Sequence, residues 1–145
     1  IEGDLDTVAA TGLKGLMQIL AATHAGLTTD AYAATAHEWL ATARHPRFDR
    51  LYPDLVYQPQ LELLGFLRAN GFKTFIVSGG GVEFIRAYAE RSYGIPPEQV
   101  VGSSSVTTFA IGPEGKPVLL REPAVEFVDD GPGKPVGINR FIGRR

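Results

Sequence analysis

The sequence predicts an α/β fold built around parallel strands, and three observations support this prediction. Between residues 58 and 93, a helical pattern, a strand and a second helical pattern follow one another with short links. The strand ends in Ser78, and three glycines come directly after it. Two apolar runs on either side of residues 112–115, Gly-Pro-Glu-Gly, are typical of a β-hairpin. A helix, a strand and a helix joined this closely form the usual unit of a parallel sheet.

Residues 4–45 are rich in alanine, leucine and threonine, which predicts helices. A second helix is expected to start at Thr28, since Thr-Thr-Asp is a typical N-terminal sequence. The His-Pro-Arg-Phe sequence at 45–48 breaks the helical pattern. We therefore expect two parts, a helical segment over residues 1–50 and a partial α/β core over residues 51–145. The first helix has an apolar face at the spacing i, i+3, i+4, i+7, formed by Leu13, Leu16, Met17 and Leu20.

The second part alternates between helices and strands. Prolines, glycines and an Asn-Gly pair mark the ends of these elements. The predicted elements are a helix from Gln58 to Asn70, a strand over 72–78, a helix from Val82 to Tyr93 closed by Gly94, a short parallel strand at Val100 and Val101, the hairpin, and a short helix over 136–142.

Composition excludes several classes of function. The net charge is −2 and no run of basic residues occurs, so a nucleic-acid partner is not expected. There is no cysteine, which excludes disulfides, thiolate metal sites and a cysteine nucleophile. No apolar run approaches the roughly 20 residues that span a bilayer. We expect a soluble protein in either the cytoplasm or the periplasm, and a segment of a longer chain, because the first residue is isoleucine.

Two places in the sequence have the chemistry of an anion site. Glycines after Ser78 let the backbone approach a ligand, and free N–H groups at a helix start favour negative charge. Lys134 follows Gly133 at the start of the last helix, where the helix dipole does not favour a cation. Such a lysine is suited to hold a phosphate or a carboxylate. The alternatives are a plain strand-to-helix turn and a solvated surface lysine.

Taken together, these elements resemble the haloacid dehalogenase superfamily, within its phosphoserine-phosphatase-like branch. The family's second motif, an apolar strand ending in serine or threonine before glycines, matches residues 75–80, Phe-Ile-Val-Ser-Gly-Gly. Its third motif, a lysine opening a downstream helix, matches Gly133-Lys134. The helical segment resembles the family's inserted cap, and the hairpin lies between the two motifs. The resemblance implies a Rossmannoid parallel sheet, incomplete in this chain.

The resemblance also implies an activity, namely Mg²⁺-dependent hydrolysis of a small phosphomonoester through an aspartyl-phosphate intermediate. Ser78, Gly79 and Gly80 would bind the phosphoryl oxygens. Lys134 would offset the charge that the nucleophile and the phosphate share, so Ser78 and Lys134 are the expected catalytic residues. The partner implied is a small phosphorylated substrate rather than nucleic acid or a membrane, and the oligomeric state stays open.

Two motifs of the family have no convincing match. Its nucleophile motif, DxDx[TV], resembles residues 4–8, but too few residues precede them to form the strand that holds it. Its fourth, acidic motif falls beyond Arg145. Asp129 and Asp130 precede Lys134 and are expected in a solvated loop. No metal ligand is therefore predicted within this chain, and the chain alone is expected to be inactive.

Other polar and aromatic residues are expected to be structural. Ser103, Ser104 and Ser105 are interpreted as the polar start of a strand, and Trp39 and Tyr32 as packing within the helical segment. Three further hypotheses remain open at this stage. They are a haloacid dehalogenase proper, a non-catalytic phosphate- or nucleotide-binding module, and a structural or partner-binding α/β fragment.

Overall fold

A computed structural model describes residues 12–144 of the chain as a mixed α/β fold. Helices and strands alternate after residue 57, as the sequence predicted. The elements are α1 Gly12–Thr23, α2 Thr29–Thr42, α3 Gln58–Ala69, β1 Ile76–Gly81, α4 Val82–Tyr93, β2 Val100–Ile111, β3 Pro117–Phe127 and α5 Gly133–Gly137, which continues as a π-helical turn over Ile138–Ile142.

The three strands form one mixed sheet in the order β1-β2-β3. β1 and β2 are parallel, with Ile76 opposite Val100, and β2 and β3 are antiparallel, with Phe109 opposite Leu119. One long strand, β2, therefore pairs with β1 through its first residues and with β3 through the rest. The predicted parallel strand and the predicted hairpin are both confirmed, and they share this strand.

Local sequence signals set the helix ends where the sequence predicted them. Thr28 caps α2, because its hydroxyl accepts the N–H of Ala31 at 3.0 Å. Asn70 follows the last residue of α3, and Gly94 ends α4 in the left-handed conformation with φ of 63°. These three helix boundaries thus agree with the local signals in the sequence.

The position of β1 differs from the prediction. The sequence predicted the strand over residues 72–78, with the glycines after it, whereas β1 is Ile76–Gly81 and includes the glycines. The start of α4 at Val82 agrees with the prediction. Pairing with β2 accounts for the difference, since Gly81 lies opposite Ser103 after an irregularity that follows Ser78. The glycines therefore form the irregular end of a strand, and we call residues 78–81 the Gly-rich turn.

An apolar core holds α3 and α4 against the start of the sheet. Its buried members are Leu64, Ile85, Ala89, Ile95 and Val100. Ile85 comes four residues after Gly81, so this core fixes α4 directly behind the Gly-rich turn. Burying side chains of this size contributes about 1.5–3 kcal/mol each.

The helical segment lies against both the core helix and the hairpin. α2 packs on α4, α1 packs on β3, and Thr28 forms an isolated antiparallel bridge with Leu120. The side chains predicted to form the buried face of α1 lie outside the described residues, as does the Asp4–Asp6 stretch. None of the helices in residues 12–144 is long and apolar enough to cross a membrane.

Candidate functional site

The structure brings Lys134 and Ser78 together beside β1, at the carboxyl side of the regular pairing between β1 and β2. The ammonium Nζ of Lys134 donates hydrogen bonds to the carbonyl oxygen of Val77 at 3.1 Å and to that of Asp129 at 3.3 Å. Val77 is the residue directly before Ser78. The two residues that the sequence singled out are therefore neighbours in space, although β2, β3 and α4 separate them in the chain.

A tight loop delivers Lys134 to this position. The N–H of Gly133 donates to the carbonyl of Asp130 at 2.8 Å, and the N–H of Lys134 donates to that of Gly131 at 3.2 Å. A Cβ at Gly133 would lie 2.1 Å from the carbonyl oxygen of Val128, which is impossible without moving the backbone. Gly133 is thus required for the loop to fold back and for Lys134 to reach β1.

The hydroxyl of Ser78 still has a hydrogen to donate. Its oxygen accepts the N–H of Gly80 at 3.1 Å, and within residues 12–144 the hydroxyl donates no hydrogen bond. Because a hydroxyl has one donor and two acceptor sites, this arrangement leaves the O–H available to an anion oxygen. The amide of Gly80, in contrast, is occupied by Ser78 in this conformation.

Ser103 connects β2 to the same site, and the sequence interpretation missed it. Its side chain is 3% exposed, donates to the carbonyl of Gly79 at 2.8 Å and accepts the N–H of Asp129 at 3.0 Å. Ser103 is therefore more than the polar start of a strand, because it joins the Gly-rich turn to the loop before Lys134. Ser103 is the first of three consecutive serines after Val-Val-Gly, and no sequence signal separates it from the other two.

Asp129 corrects the prediction of a solvated loop. Its side chain is 0% exposed, and neither carboxylate oxygen has a hydrogen-bond partner among residues 12–144. α5 approaches so closely that a Cβ at Gly137 would lie 2.6 Å from Oδ1. The glycine allows the helix to cover the carboxyl group, which is why the loop folds inward. Asp130, the next residue, is exposed as predicted.

Burial raises the pKa of the Asp129 carboxyl group above its usual range. The charge of Lys134 and the backbone N–H of Ser78 lower that pKa in part, and Asp130 raises it further. The Ser78 amide exerts this effect without completing a hydrogen bond to the carboxylate. The shift favours the neutral carboxyl group, and a neutral Asp129 leaves the positive charge of Lys134 available to an anion.

A second charged cluster lies on the other side of the Gly-rich turn. Arg121 in β3 is 8% exposed and forms an ion pair with Glu83 at the start of α4. Burial lowers the pKa of Arg121, and the nearby Tyr32 raises it in part. Neither residue of this ion pair was anticipated as a site residue from the sequence, because the two are distant in the chain.

The aromatic residues of the helical segment pack against one another and against α4. Trp39 stacks on Tyr52 with ring centroids 5.0 Å apart, and its ring lies 5.8 Å from that of Phe84. Tyr32 packs against His24 within the helical segment, as predicted, and its ring also contacts Arg121. The aromatic residues beside Phe84 line a cavity of about 230 Å³.

The described residues do not form a magnesium site. Within residues 12–144 no three His, Asp or Glu side chains converge as ligands. α5 covers the carboxylate of Asp129 completely, and the other carboxylate of this loop is that of the exposed Asp130, whose Oδ1 lies 3.3 Å from the Cβ position of Gly79. Mg²⁺ keeps several waters and is held by accessible carboxylates, which the covered group of Asp129 does not provide.

No known protein-family model matches this chain, and no curated protein matches it significantly. Fold and site together define its class as an α/β protein with a candidate anion-binding site at the carboxyl side of a parallel strand pairing. Ligands of open α/β sheets commonly bind at this end of the strands.

Proposed function

We propose that this chain forms the phosphate-binding half of a phosphomonoester hydrolase of the haloacid dehalogenase type. The observation that carries the proposal is the contact of Lys134 Nζ with the Val77 carbonyl, 3.1 Å away and next to Ser78. It places a cation at the carbonyl directly before Ser78, whose hydroxyl has a hydrogen to donate and which the glycines follow. Lysine is a suitable point charge for a phosphoryl group, and a free O–H adds a directed hydrogen bond.

In this proposal each residue has one role toward the phosphoryl group. Ser78 donates its O–H to a phosphoryl oxygen. Gly79 and Gly80 bring their backbone to the ligand, which requires the exposed side chain of Asp130, 3.3 Å from the Cβ position of Gly79, to turn away. Lys134 exchanges its bond to the Val77 carbonyl for the anion and offsets the charge that grows during transfer. Ser103 and Asp129 hold the two loops in register and make no contact with the substrate.

Hydrolysis proceeds in two steps in the proposed reaction. A carboxylate supplied by sequence upstream of residue 1 attacks phosphorus, the ester oxygen leaves with a proton as the alcohol, and an aspartyl phosphate forms. Water then attacks that phosphorus, which releases inorganic phosphate and restores the carboxylate. Mg²⁺, when bound, neutralises charge on the phosphoryl group, and its ligands are proposed to come from outside this chain.

A non-catalytic phosphate-binding module is the second candidate. One observation favours it: within residues 12–144 the exposed Asp130, whose Oδ1 faces Gly79, is accompanied by no group of three potential metal ligands, and Asp129 is fully covered. Both candidates use the same anion site. They differ in whether a nucleophile and Mg²⁺ ligands from outside this chain complete it. Haloalkanoate dehalogenation differs again, because that reaction has no need of Mg²⁺.

Hydrolysis by a longer form of the protein, extended by about 60 residues at each end, separates these candidates. The substrates are an aryl phosphate and a haloalkanoate, each tested with Mg²⁺ and with a chelator. The proposal expects release of phosphate that requires Mg²⁺ and falls at least tenfold in Lys134→Met. A matched control, Lys116→Met in the exposed hairpin turn, should retain full activity. Phosphate binding without turnover would establish the binding module instead, and chloride release without metal would establish a dehalogenase.

A further inference from the structure

Arg121 is a buried cation that the proposed phosphate site does not use. Its guanidinium forms an ion pair with Glu83, donates from Nη2 to the hydroxyl of Ser105 at 3.2 Å and lies 4.2 Å above the centre of the Tyr32 ring. A charge that is 8% exposed is costly unless it is paired and hydrogen-bonded. These three contacts supply that compensation and come from three different elements.

The backbone of Arg121 contacts the helical segment as well. Its N–H donates to the carbonyl of Leu27 at 2.9 Å, and its carbonyl accepts the N–H of Gly26 at 2.8 Å. Gly26 has φ of 79°, which a glycine adopts without strain. The link between α1 and α2 therefore pairs with the free edge of β3 at this one residue. Tyr32, in the first turns of α2, then covers the guanidinium.

The other end of this cluster is the Gly-rich turn. Glu83 is the second residue of α4 and follows Gly81 by two positions, where a carboxylate is favoured by the helix dipole. A cavity of about 40 Å³ lies between Tyr32, Gly81, Glu83, Ser103 and Arg121, with room for one or two waters. The Nε–H of Arg121 has no partner among residues 12–144, and such a water can accept it.

We propose that Arg121 is a positioning residue that fixes the helical segment over the Gly-rich turn. This inference rests on the proposed function, since it concerns how the segment covers a substrate bound at Ser78. Through Tyr32 and Glu83, one guanidinium sets the distance between α2 and the start of α4. The organic part of a phosphomonoester must contact whatever covers the turn, whereas inorganic phosphate contacts only the turn and Lys134. Arg121 should therefore affect the two ligands differently.

Kinetics of the hydrolysing, extended form test this difference. In Arg121→Met, we expect the KM of an organic phosphomonoester to rise about tenfold, while the inhibition constant of inorganic phosphate stays within about twofold. Glu83→Gln, which keeps the side-chain shape, should shift KM in the same direction by a smaller factor. In Arg121→Lys the KM should rise less than in Arg121→Met, because lysine keeps the positive charge but lacks the planar guanidinium with its five donors. Arg140→Met, at an exposed ion pair with Glu126, is the matched control and should change neither constant.

A parallel rise of KM and of the phosphate inhibition constant would overturn the inference, because Arg121 would then support the turn itself. If Arg121→Met changes neither the KM of the phosphomonoester nor the inhibition constant of phosphate, the inference is overturned as well.

Hydrogen exchange in the chain itself gives a readout that needs no activity. The amide of Gly26 should exchange about tenfold faster in Arg121→Met and Glu83→Gln than in the wild type, with Arg140→Met unchanged. An unchanged Gly26 amide in both variants contradicts the inference. If Arg121→Met does not fold, the isosteric Glu83→Gln decides alone. A wild-type protein that binds no phosphate refutes the proposed function, while the exchange comparison still decides whether Arg121 holds the segment.

Discussion

Lys134 donates a hydrogen bond to the carbonyl oxygen of Val77 across 3.1 Å, which joins the start of the last helix to the second residue of the first strand. The ammonium therefore rests on a backbone carbonyl, one residue before the hydroxyl of Ser78. Such a bond is weaker than one to a charged phosphoryl oxygen, so an arriving anion can replace it.

Two glycines in helices should respond in opposite ways to alanine. At Gly137 a Cβ would lie 2.6 Å from Oδ1 of Asp129, so Gly137→Ala should lower the free energy of unfolding by about 1–3 kcal/mol. At Gly65 in α3 nothing lies within 4 Å of the added carbon, so Gly65→Ala should raise it by about 0.5–1 kcal/mol. Urea denaturation measures both. Equal stability of Gly137→Ala and wild type would show that α5 does not cover Asp129.

Much of the fold was predictable because its signals are local. Thr28 and Gly94 set helix ends through capping and glycine conformation, and the prolines and glycines at 112–115 mark the hairpin turn. The bounds of β1 depended on pairing with β2, which no local signal shows.

The candidate site likewise contains residues that local motifs predicted and residues whose role depends on tertiary packing. Ser78 and Lys134 belong to short motifs and were singled out from the sequence. The burial of Asp129 depends on the approach of Gly137, and the pairing of Arg121 with Glu83 joins two separate elements. Charged residues in polar contexts are usually solvated, so only the tertiary packing reveals these two exceptions.

Asp129 should give the protein a characteristic pH dependence. Its pKa is raised in the folded state, so the folded protein binds the proton more tightly, and stability falls as pH rises above the ordinary aspartate value of about 3.9. Asp129→Asn removes the cost of burying the charge. The variant should therefore exceed the wild type in unfolding free energy at pH 7, by about 1–3 kcal/mol, and lose that advantage below about pH 4.

Thermal denaturation between pH 3 and pH 8 measures this dependence. Asp130→Asn, at the exposed neighbouring position, should keep the direction of this dependence and reduce its size, because the charge of Asp130 contributes to the raised pKa of Asp129. If Asp129→Asn destabilises the protein at pH 7 and not at pH 3, the carboxylate is ionised and stabilised in the folded state, contrary to this expectation.

Ser103 should matter for both stability and the site. Ser103→Ala removes the partner of the Gly79 carbonyl and that of the Asp129 N–H, so the free energy of unfolding should fall by about 1–3 kcal/mol. Ser104→Ala is the matched control and should cost less than about 0.5 kcal/mol, since the half-buried Ser104 hydroxyl bonds to the exposed carboxylate of Glu126 and to no other group within residues 12–144. Urea denaturation compares them, and equal losses in the two variants would remove the role assigned to Ser103.

Binding of inorganic phosphate to the chain, measured by titration calorimetry at constant ionic strength, tests the anion site without any need for turnover. The wild type should bind, Lys134→Met should bind at least tenfold more weakly, and Ser78→Ala should lie between them. Lys116→Met, which removes an exposed lysine of the hairpin turn, should bind as the wild type does. Equal affinities of Lys134→Met and Lys116→Met for phosphate would contradict the assignment of Lys134 and Ser78 to one phosphate-binding site.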